Sequence, residues 1–278
     1  MSTWNYVRKI TRPSQCILAA LATWVVALLS NGPQWFTEAK FAAAATIFFS
    51  VLGASLWHYG ARADMYAKKH YDLVLVKNPS RLLHLGSVAF AFSIFIATLF
   101  LPWICIVIAI LNMFVIFLYA KRLDQFWPWK NLVIAFVCTT PLLIGWMSGQ
   151  HLHPVVFPMI VAAFFIYFTR EILKDIQDRE ANHGLRYTMV MDLGVPASLR
   201  IAGIQLIIAF GAMLYAHHFI PTSSILANVA FWIGALILIW YGVKLLRGSD
   251  VASKYQRIDF AVASLLICIL TIRIFAWS

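Results

Sequence analysis

Residues 103–120 read WICIVIAILNMFVIFLYA, a run without a single charged side chain. A run of this length spans a bilayer as one helix, because about 20 apolar residues cover about 30 Å of hydrocarbon. The whole chain of 278 residues shares this character, with 62% hydrophobic and 12% charged residues and a mean hydropathy of +0.80. Soluble domains carry about 25% charged residues, and disordered chains are poor in apolar ones. The composition excludes both classes and predicts a membrane protein with several spans.

Nine runs are apolar enough to cross a bilayer, and each is predicted to be helical because hydrocarbon offers no partner to unpaired backbone groups. The predicted spans are residues 14–30, 41–57, 83–101, 103–120, 132–147, 155–169, 199–215, 225–245 and 258–277. The expected fold class is therefore an all-α bundle of nine transmembrane helices, which forms one domain over residues 1–278.

The basic residues are distributed unevenly between the loops. Twenty of the 22 Lys and Arg residues fall before span one or after spans two, four, six and eight, which leaves only Lys40 and Arg273. Because positively charged loops face the cytoplasm, this distribution predicts a cytoplasmic amino terminus and an external carboxyl terminus. It also accounts for the formal charge of +11 without a nucleic-acid partner.

Seven of the eleven acidic residues are concentrated in two long cytoplasmic loops, at 58–82 and 170–198. The second loop opens with REILKDIQDREAN at 170–182, which we interpret as the continuation of the sixth helix beyond the membrane. A solvated helix end with ordinary ion pairs is the alternative interpretation. The position of this segment at the rim of a membrane bundle favours a functional role instead, because ionisable groups there tend to line substrate paths.

Four polar residues share one face of this predicted helix, at three- and four-residue spacing. They are Glu171, Asp175, Asp178 and Asn182. Carboxylates stacked in this way repel one another unless a cation lies among them. Oxygen ligands without sulfur or imidazole suit Mg²⁺ bound together with substrate phosphates. Arg170 and Lys174, one face over, suit the phosphate oxygens.

The run REILKDIQDRE at 170–180 resembles the second Asp-rich motif of the UbiA superfamily of intramembrane prenyltransferases. It looks most like the branch that prenylates geranylgeranylglycerol phosphate. Thr11-Arg12-Pro13 before span one is similar to the family's opening. Tyr119 with Lys121 and Arg122, followed by Asn131-Leu132-Val133, is similar to its loop after helix four. The resemblance implies nine helices and a prenyl diphosphate held through Mg²⁺ between two acidic motifs.

The first acidic motif departs from the family pattern Asn-Asp-x-x-Asp-x-x-x-Asp. The preferred alignment places Asp64, Met65, Lys68 and Asp72 on the pattern, with Arg81 downstream. Met and Lys thus stand where the family has two carboxylates. In one interpretation the Lys68 ammonium replaces a metal ion and binds the diphosphate directly. In the other, the first site has decayed and no longer supports ionisation of a diphosphate.

The resemblance implies transfer of a prenyl group from a prenyl diphosphate to a hydrophobic or membrane-located acceptor, of aromatic or glycerol-phosphate lipid type. The catalytic and Mg²⁺-binding carboxylates it implies are Asp64, Asp72, Asp175 and Asp178. The diphosphate-binding residues it implies are Lys68, Arg81, Lys121, Arg122, Arg170 and Lys174. A UbiA-like terpene cyclase, a non-catalytic lipid-binding or carrier protein and a transporter are the alternatives. The expected location is a bacterial or archaeal cell membrane, with the acidic loops in the cytoplasm.

Overall fold

The computed structural model describes residues 8, 10–31, 36–63, 78–149, 152–183, 187–219 and 225–248. These ranges are helical, and their one extended pairing is an isolated bridge between Phe126 and Tyr187. The long helices are α1 (Pro13–Asn31), α2 (Glu38–Ala61), α3 (Pro79–Phe100), α4 (Trp103–Lys121), α5 (Trp129–Met147), α6 (Val156–Gln177), α7 (Met189–His218) and α8 (Ile225–Leu246). A 3₁₀ turn (Leu123–Gln125) precedes α5, and a single α-helical turn (Arg179–Asn182) follows α6.

The helices α1 to α7 are each long and apolar enough to cross a membrane. In α8 the apolar stretch, Phe231–Leu246, is shorter. The all-α class is therefore confirmed, and the first eight predicted spans coincide with the eight long helices. The predicted ninth span, at 258–277, lies outside the described residues, so the total of nine stays a prediction.

Two helix boundaries differ from the predicted spans by more than four residues. Helix α6 continues beyond residue 169 to Gln177, in agreement with the predicted continuation of the sixth helix. Helix α7 begins at Met189, well before the predicted start at residue 199, and is interrupted at Gly194 (φ 78°, ψ 165°). Thirty residues of α-helix extend about 45 Å, more than the hydrocarbon requires. The break therefore divides α7 into a short first part and a second part that contains the predicted span.

The chain divides into two compact units, residues 1–124 with 140–151 and residues 125–139 with 152–278. In the first unit α2 and α3 are joined by buried hydroxyl groups. Ser50 Oγ and Ser93 Oγ lie 2.8 Å apart, and Ser93 Oγ donates to the backbone oxygen of Thr46 at 2.8 Å. Such bonds are typical of helices that associate in lipid, where apolar burial between helices provides little driving force.

The second unit has its core between α6, α7 and α8, with the first part of α5 packed against it. Buried members of this core include Ile172, Leu173, Leu206 and Phe231. Thr169 Oγ1 on α6 donates to the backbone oxygen of Ala202 on α7 at 3.2 Å. The last two turns of α6 are thus held between apolar neighbours and a hydrogen bond to α7.

Helices α7 and α8 approach each other closely at Gly203 and Gly242. A Cβ atom at position 203 would lie 2.8 Å from the Gly242 oxygen and 2.9 Å from Leu246 Cγ. We expect Gly203→Ala to lower the free energy of unfolding by about 1–3 kcal/mol, because the helices must separate to admit the methyl group. Thermal unfolding of the purified protein in detergent measures the effect.

Gly211 provides the matched control on the same helix, because a Cβ atom there would meet nothing within 4 Å. Gly211→Ala is expected to leave the melting temperature unchanged or to raise it, since alanine is the better helix former. Equal melting temperatures for the two variants would contradict the close crossing.

Candidate functional site

The end of α6 carries a buried polar face within the second unit. Glu171 and Asp175 are 3% and 1% exposed, and Asn182, in the helical turn that follows, is 1% exposed. Asp178, the residue that ends α6, is half-buried. The face predicted from the three- and four-residue spacing is therefore present, and most of it points into the protein rather than into solvent.

Lys130, in the first turn of α5, forms a buried ion pair with Asp175. The lysine is 2% exposed, and its Nζ donates to Asp175 Oδ1. Removing two charges from water costs several kcal/mol each, and close contact between them offsets that cost. The pair therefore requires the ammonium and the carboxylate to remain together.

Backbone hydrogen bonds hold the segment that carries Lys130. Tyr187 N–H donates to the oxygen of Gln125 at 2.8 Å, and Trp127 N–H donates to the oxygen of Tyr187 at 3.2 Å. The Lys130 N–H donates to the oxygen of Phe126 at 3.0 Å, at the start of α5. These bonds connect the entry to α5 with the entry to α7, and thereby fix the position from which Lys130 reaches Asp175.

The Tyr187 side chain adds a polar contact on the outer side of this junction. Its hydroxyl donates to Asp192 Oδ1 at 2.5 Å. The hydrogen bond to the Asp192 carboxylate raises the pKa of Tyr187, since ionisation would remove the donor. The phenol therefore stays neutral, and remains a donor, throughout the ordinary pH range.

Three buried polar atoms of Asp175 and Asn131 have no hydrogen-bond partner among the described residues. They are Asp175 Oδ2 and the two amide atoms of Asn131, the residue after Lys130. Each unsatisfied buried polar atom costs about 1–3 kcal/mol. Buried groups left in this way are where water, a metal ion or a ligand is expected. The ion pair thus adjoins binding capacity that the described chain does not use.

These residues fit a magnesium ion that is completed by substrate phosphates. Across the described ranges, no group of three or more His, Cys, Asp and Glu residues is placed to hold a metal ion. At the end of α6, Asp175 Oδ2 has no partner among the described residues, and Asp178 adds a half-buried carboxylate. Mg²⁺ commonly binds through one or two carboxylates plus phosphate oxygens. The donor set suits that arrangement and does not suit an all-protein cage.

The predicted site residues of the first motif, Asp64, Lys68 and Asp72, lie outside the described residues. Of the others, four are brought together at the end of α6. They are Arg170, Lys174, Asp175 and Asp178. Arg170 Nη1 also donates to Glu171 Oε1 at 3.2 Å, so this guanidinium already has a carboxylate partner.

The remaining predicted diphosphate ligands belong to the first unit. Arg81 is exposed in the first turn of α3. Lys121 is the last residue of α4, and its ammonium lies 4.3 Å from the centroid of the Phe117 ring. Arg122 follows it and is exposed. These side chains are accessible to an anion, and their role toward diphosphate stays a prediction.

The UbiA prenyltransferase family matches this chain over residues 20–266. The chain belongs to that family. This confirms the family and the class of enzyme expected from the second acidic motif.

Curated relatives of this UbiA-family chain include digeranylgeranylglyceryl phosphate synthases. That of Methanoregula boonei is 27% identical over 206 residues, which cover 69% of this chain and 70% of the relative. That of Pyrococcus furiosus is 24% identical over 265 residues and covers 90% of each chain.

Solved structures share the fold. A structure described for digeranylgeranylglyceryl phosphate synthase has a TM-score of 0.77 at 17% identity, over 97% of this chain and 99% of that one. A UbiA homologue from Archaeoglobus fulgidus, solved with DMAPP and Mg²⁺, has a TM-score of 0.71 at 14% identity, with the same coverage.

Lys130 is the site residue that sequence reasoning missed in this UbiA-family chain. In the sequence it is one of the basic residues that follow span four, next to Asn131 of a family-like segment. One available signal was a lysine in the first turn of a predicted span, on the same membrane side as the acidic helix. The local sequence around Lys130 nevertheless does not indicate that its partner would be Asp175, 45 positions later in the chain.

We expect Lys130→Met to lower the free energy of unfolding by about 3–5 kcal/mol, because it leaves the Asp175 carboxylate buried without its counter-charge. Adding Asp175→Leu to this variant is expected to recover most of the loss. Equilibrium unfolding in detergent measures both effects.

Lys244→Met is the control for this experiment. It removes the same charge from α8, where the Lys244 ammonium lies 3.9 Å from the centroid of the Trp240 ring and forms no ion pair with a carboxylate of the described residues. Equal destabilisation by Lys130→Met and Lys244→Met would show that the buried pair has no special energetic role.

Proposed function

We propose that this chain transfers a prenyl group from a prenyl diphosphate to a membrane-located acceptor of glycerol-phosphate lipid type. The observation that carries the proposal is the buried Asp175 at the end of α6, in a chain of the UbiA prenyltransferase family. One of its carboxylate oxygens has no partner in the part of the chain that the structure describes. The curated relatives named digeranylgeranylglyceryl phosphate synthase support the acceptor class.

The reaction replaces one carbon–oxygen bond with another. The bond between the prenyl C1 and the diphosphate breaks, an acceptor oxygen bonds to that carbon, and the acceptor releases a proton. Asp175 and Asp178 would hold Mg²⁺, which when bound supplies positive charge to the departing diphosphate. The UbiA homologue solved with DMAPP and Mg²⁺ supports magnesium as the ion. Arg170 and Lys174 bind the outer phosphate oxygens from the neighbouring helix face.

We also propose, from the family resemblance alone, that Asp64 and Asp72 of the first acidic motif are metal-binding carboxylates. The proposed diphosphate ligands outside α6 are Lys68, Arg81, Lys121 and Arg122. Lys68 supplies a fixed positive charge at a position where the family pattern has a carboxylate.

The site is proposed to open toward the cytoplasm. The distribution of basic residues supports this orientation, since 20 of the 22 Lys and Arg residues fall on the predicted cytoplasmic side. Lys130 and Asp175 lie at helix ends on that same side. A soluble prenyl diphosphate would then enter from the cytoplasm while its hydrocarbon tail enters the membrane.

Asp175→Asn is expected to reduce prenyl transfer at least about a hundredfold, because the metal-binding carboxylate supplies several kcal/mol of charge stabilisation. The assay measures pyrophosphate release and lipid product from geranylgeranyl diphosphate and a glycerol-phosphate lipid in proteoliposomes. Glu38→Gln is the control, since Glu38 is an exposed acid at the start of α2, and its rate is expected to be unchanged.

Other products in the same assay would favour the other candidate functions. Binding of geranylgeranyl diphosphate without pyrophosphate release contradicts the proposal and indicates a carrier that retains the fold. Pyrophosphate release with a cyclic hydrocarbon, in the absence of any acceptor, indicates a terpene cyclase.

The head group of the acceptor is proposed to enter an open cleft beside the end of α6. The cleft is lined by Arg179, Glu180, His183 and Met191. We expect Arg179→Gln to raise the KM for the acceptor about two- to fivefold, because an exposed charge contact contributes up to about 1 kcal/mol. The KM for the prenyl diphosphate is expected to stay constant, and an equal change in both constants would contradict this placement.

A further inference from the structure

We propose that Lys130 is a built-in counter-ion that occupies one of the two oxygens of Asp175 and so weakens divalent-metal binding by the second acidic motif. This inference deepens the proposed function and rests on it for the identity of the site. Lys130 is assigned here as a positioning residue, which acts on metal and diphosphate through Asp175.

The contact geometry limits what a metal ion can reach. The Lys130 ammonium donates to Asp175 Oδ1, so only Oδ2 has no partner among the described residues. A metal on Oδ2 would lie within a few ångströms of the ammonium, and two positive charges at such a distance repel strongly where water is excluded. Metal and lysine therefore compete for a single carboxylate.

Burial makes the lysine a persistent competitor. The side chains of Lys130 and Asp175 are 3% and 1% exposed, and Ile172 and Leu173, just before Asp175 on α6, belong to the buried core. An exposed lysine would exchange its partner for water at little cost. This ammonium cannot do so without opening the core, and its position is fixed by the backbone bonds that join residues 125 and 127 to Tyr187.

The ion pair is not explained by stability. A buried ion pair is commonly no more stable than apolar side chains of similar volume. Here Asp175 Oδ2 also has no partner among the described residues, which adds to the cost of burial. Charged and polar groups retained at this cost indicate a ligand whose charge they match.

The ion pair changes the charge that Asp175 presents before the substrate binds. An unpaired Asp175 would present a negative charge, which repels diphosphate until a metal ion neutralises it. Paired with Lys130, the same position is close to neutral and can accept the anion without prior metal binding. The sequence shows a parallel in the first motif, where Lys68 stands at a position that the family pattern gives to a carboxylate.

Metal binding in the absence of any substrate tests the proposal, with Mn²⁺ as a paramagnetic probe followed by electron paramagnetic resonance. The purified wild-type protein is expected to bind Mn²⁺ weakly. Lys130→Gln is expected to bind it at least about tenfold more tightly, because the competing charge is gone. Millimolar Mg²⁺ is expected to raise the melting temperature of this variant and not that of the wild type.

Two further variants show whether tight Mn²⁺ binding, where it appears, occurs at Asp175. Lys130→Gln combined with Asp175→Asn is expected to lose the tight binding, which places the site at this carboxylate. Lys244→Gln removes one positive charge from the same compact unit and is expected to bind Mn²⁺ as the wild type does. If Lys244→Gln gained as much Mn²⁺ affinity as Lys130→Gln, the gain would be an effect of net charge alone, and the proposal would be overturned.

The wild type keeps the proposal testable if Lys130→Gln fails to fold. Tight Mn²⁺ binding by the wild type that disappears in Asp175→Asn would show that the lysine does not block the metal, and would overturn the proposal. Unchanged Mn²⁺ affinity in a folded Lys130→Gln variant would do the same. Because these measurements contain no prenyl substrate, failure of prenyl transfer refutes the proposed function and leaves this result standing.

Discussion

Peptide groups in hydrocarbon have no solvent to bond with, and this constraint determines most of the described structure. It requires long helices that satisfy their own backbone, and it leaves few places for polar side chains within the spans. Where such side chains occur, they bond across helices, as Ser50 does with Ser93 and as Thr169 does with the backbone of Ala202. The constraint relaxes at the helix ends, and the charged groups of the candidate site lie there.

The candidate site forms where two helix ends meet. The first turn of α5 lies against the last turns of α6, as the contact between Lys130 and Asp175 shows. Lys130 and Asp175 use this proximity. The bridge between Phe126 and Tyr187 adds the start of α7 to the same junction. The cluster thus joins the start of α5 to the end of α6 and the start of α7, which follow it 45 or more positions later in the sequence.

Composition and spacing predicted the helices well because both are local properties. Eight of the nine predicted spans coincide with helices, and the spacing of Glu171, Asp175 and Asp178 correctly predicted that α6 continues beyond its apolar part. The early start of α7 was missed because Asp192, Gly194 and Pro196 are residues typical of loops. There the helix accommodates them by breaking at Gly194.

The ion pair could not be predicted from the sequence, because its two members are brought together only by the tertiary fold. Once it is known, it changes the chemical interpretation of the acidic motif. A carboxylate that faces solvent is neutralised only when a metal ion binds to it, and the fraction of protein with bound metal depends on the metal concentration. A carboxylate paired with Lys130 carries its counter-charge permanently, since the lysine is part of the chain. Because the Lys130 charge is balanced by Asp175, the pair adds no net positive charge toward a diphosphate. Its effect is to remove one negative charge from the acidic motif before any metal ion binds, so that less metal charge is required before the anion can approach.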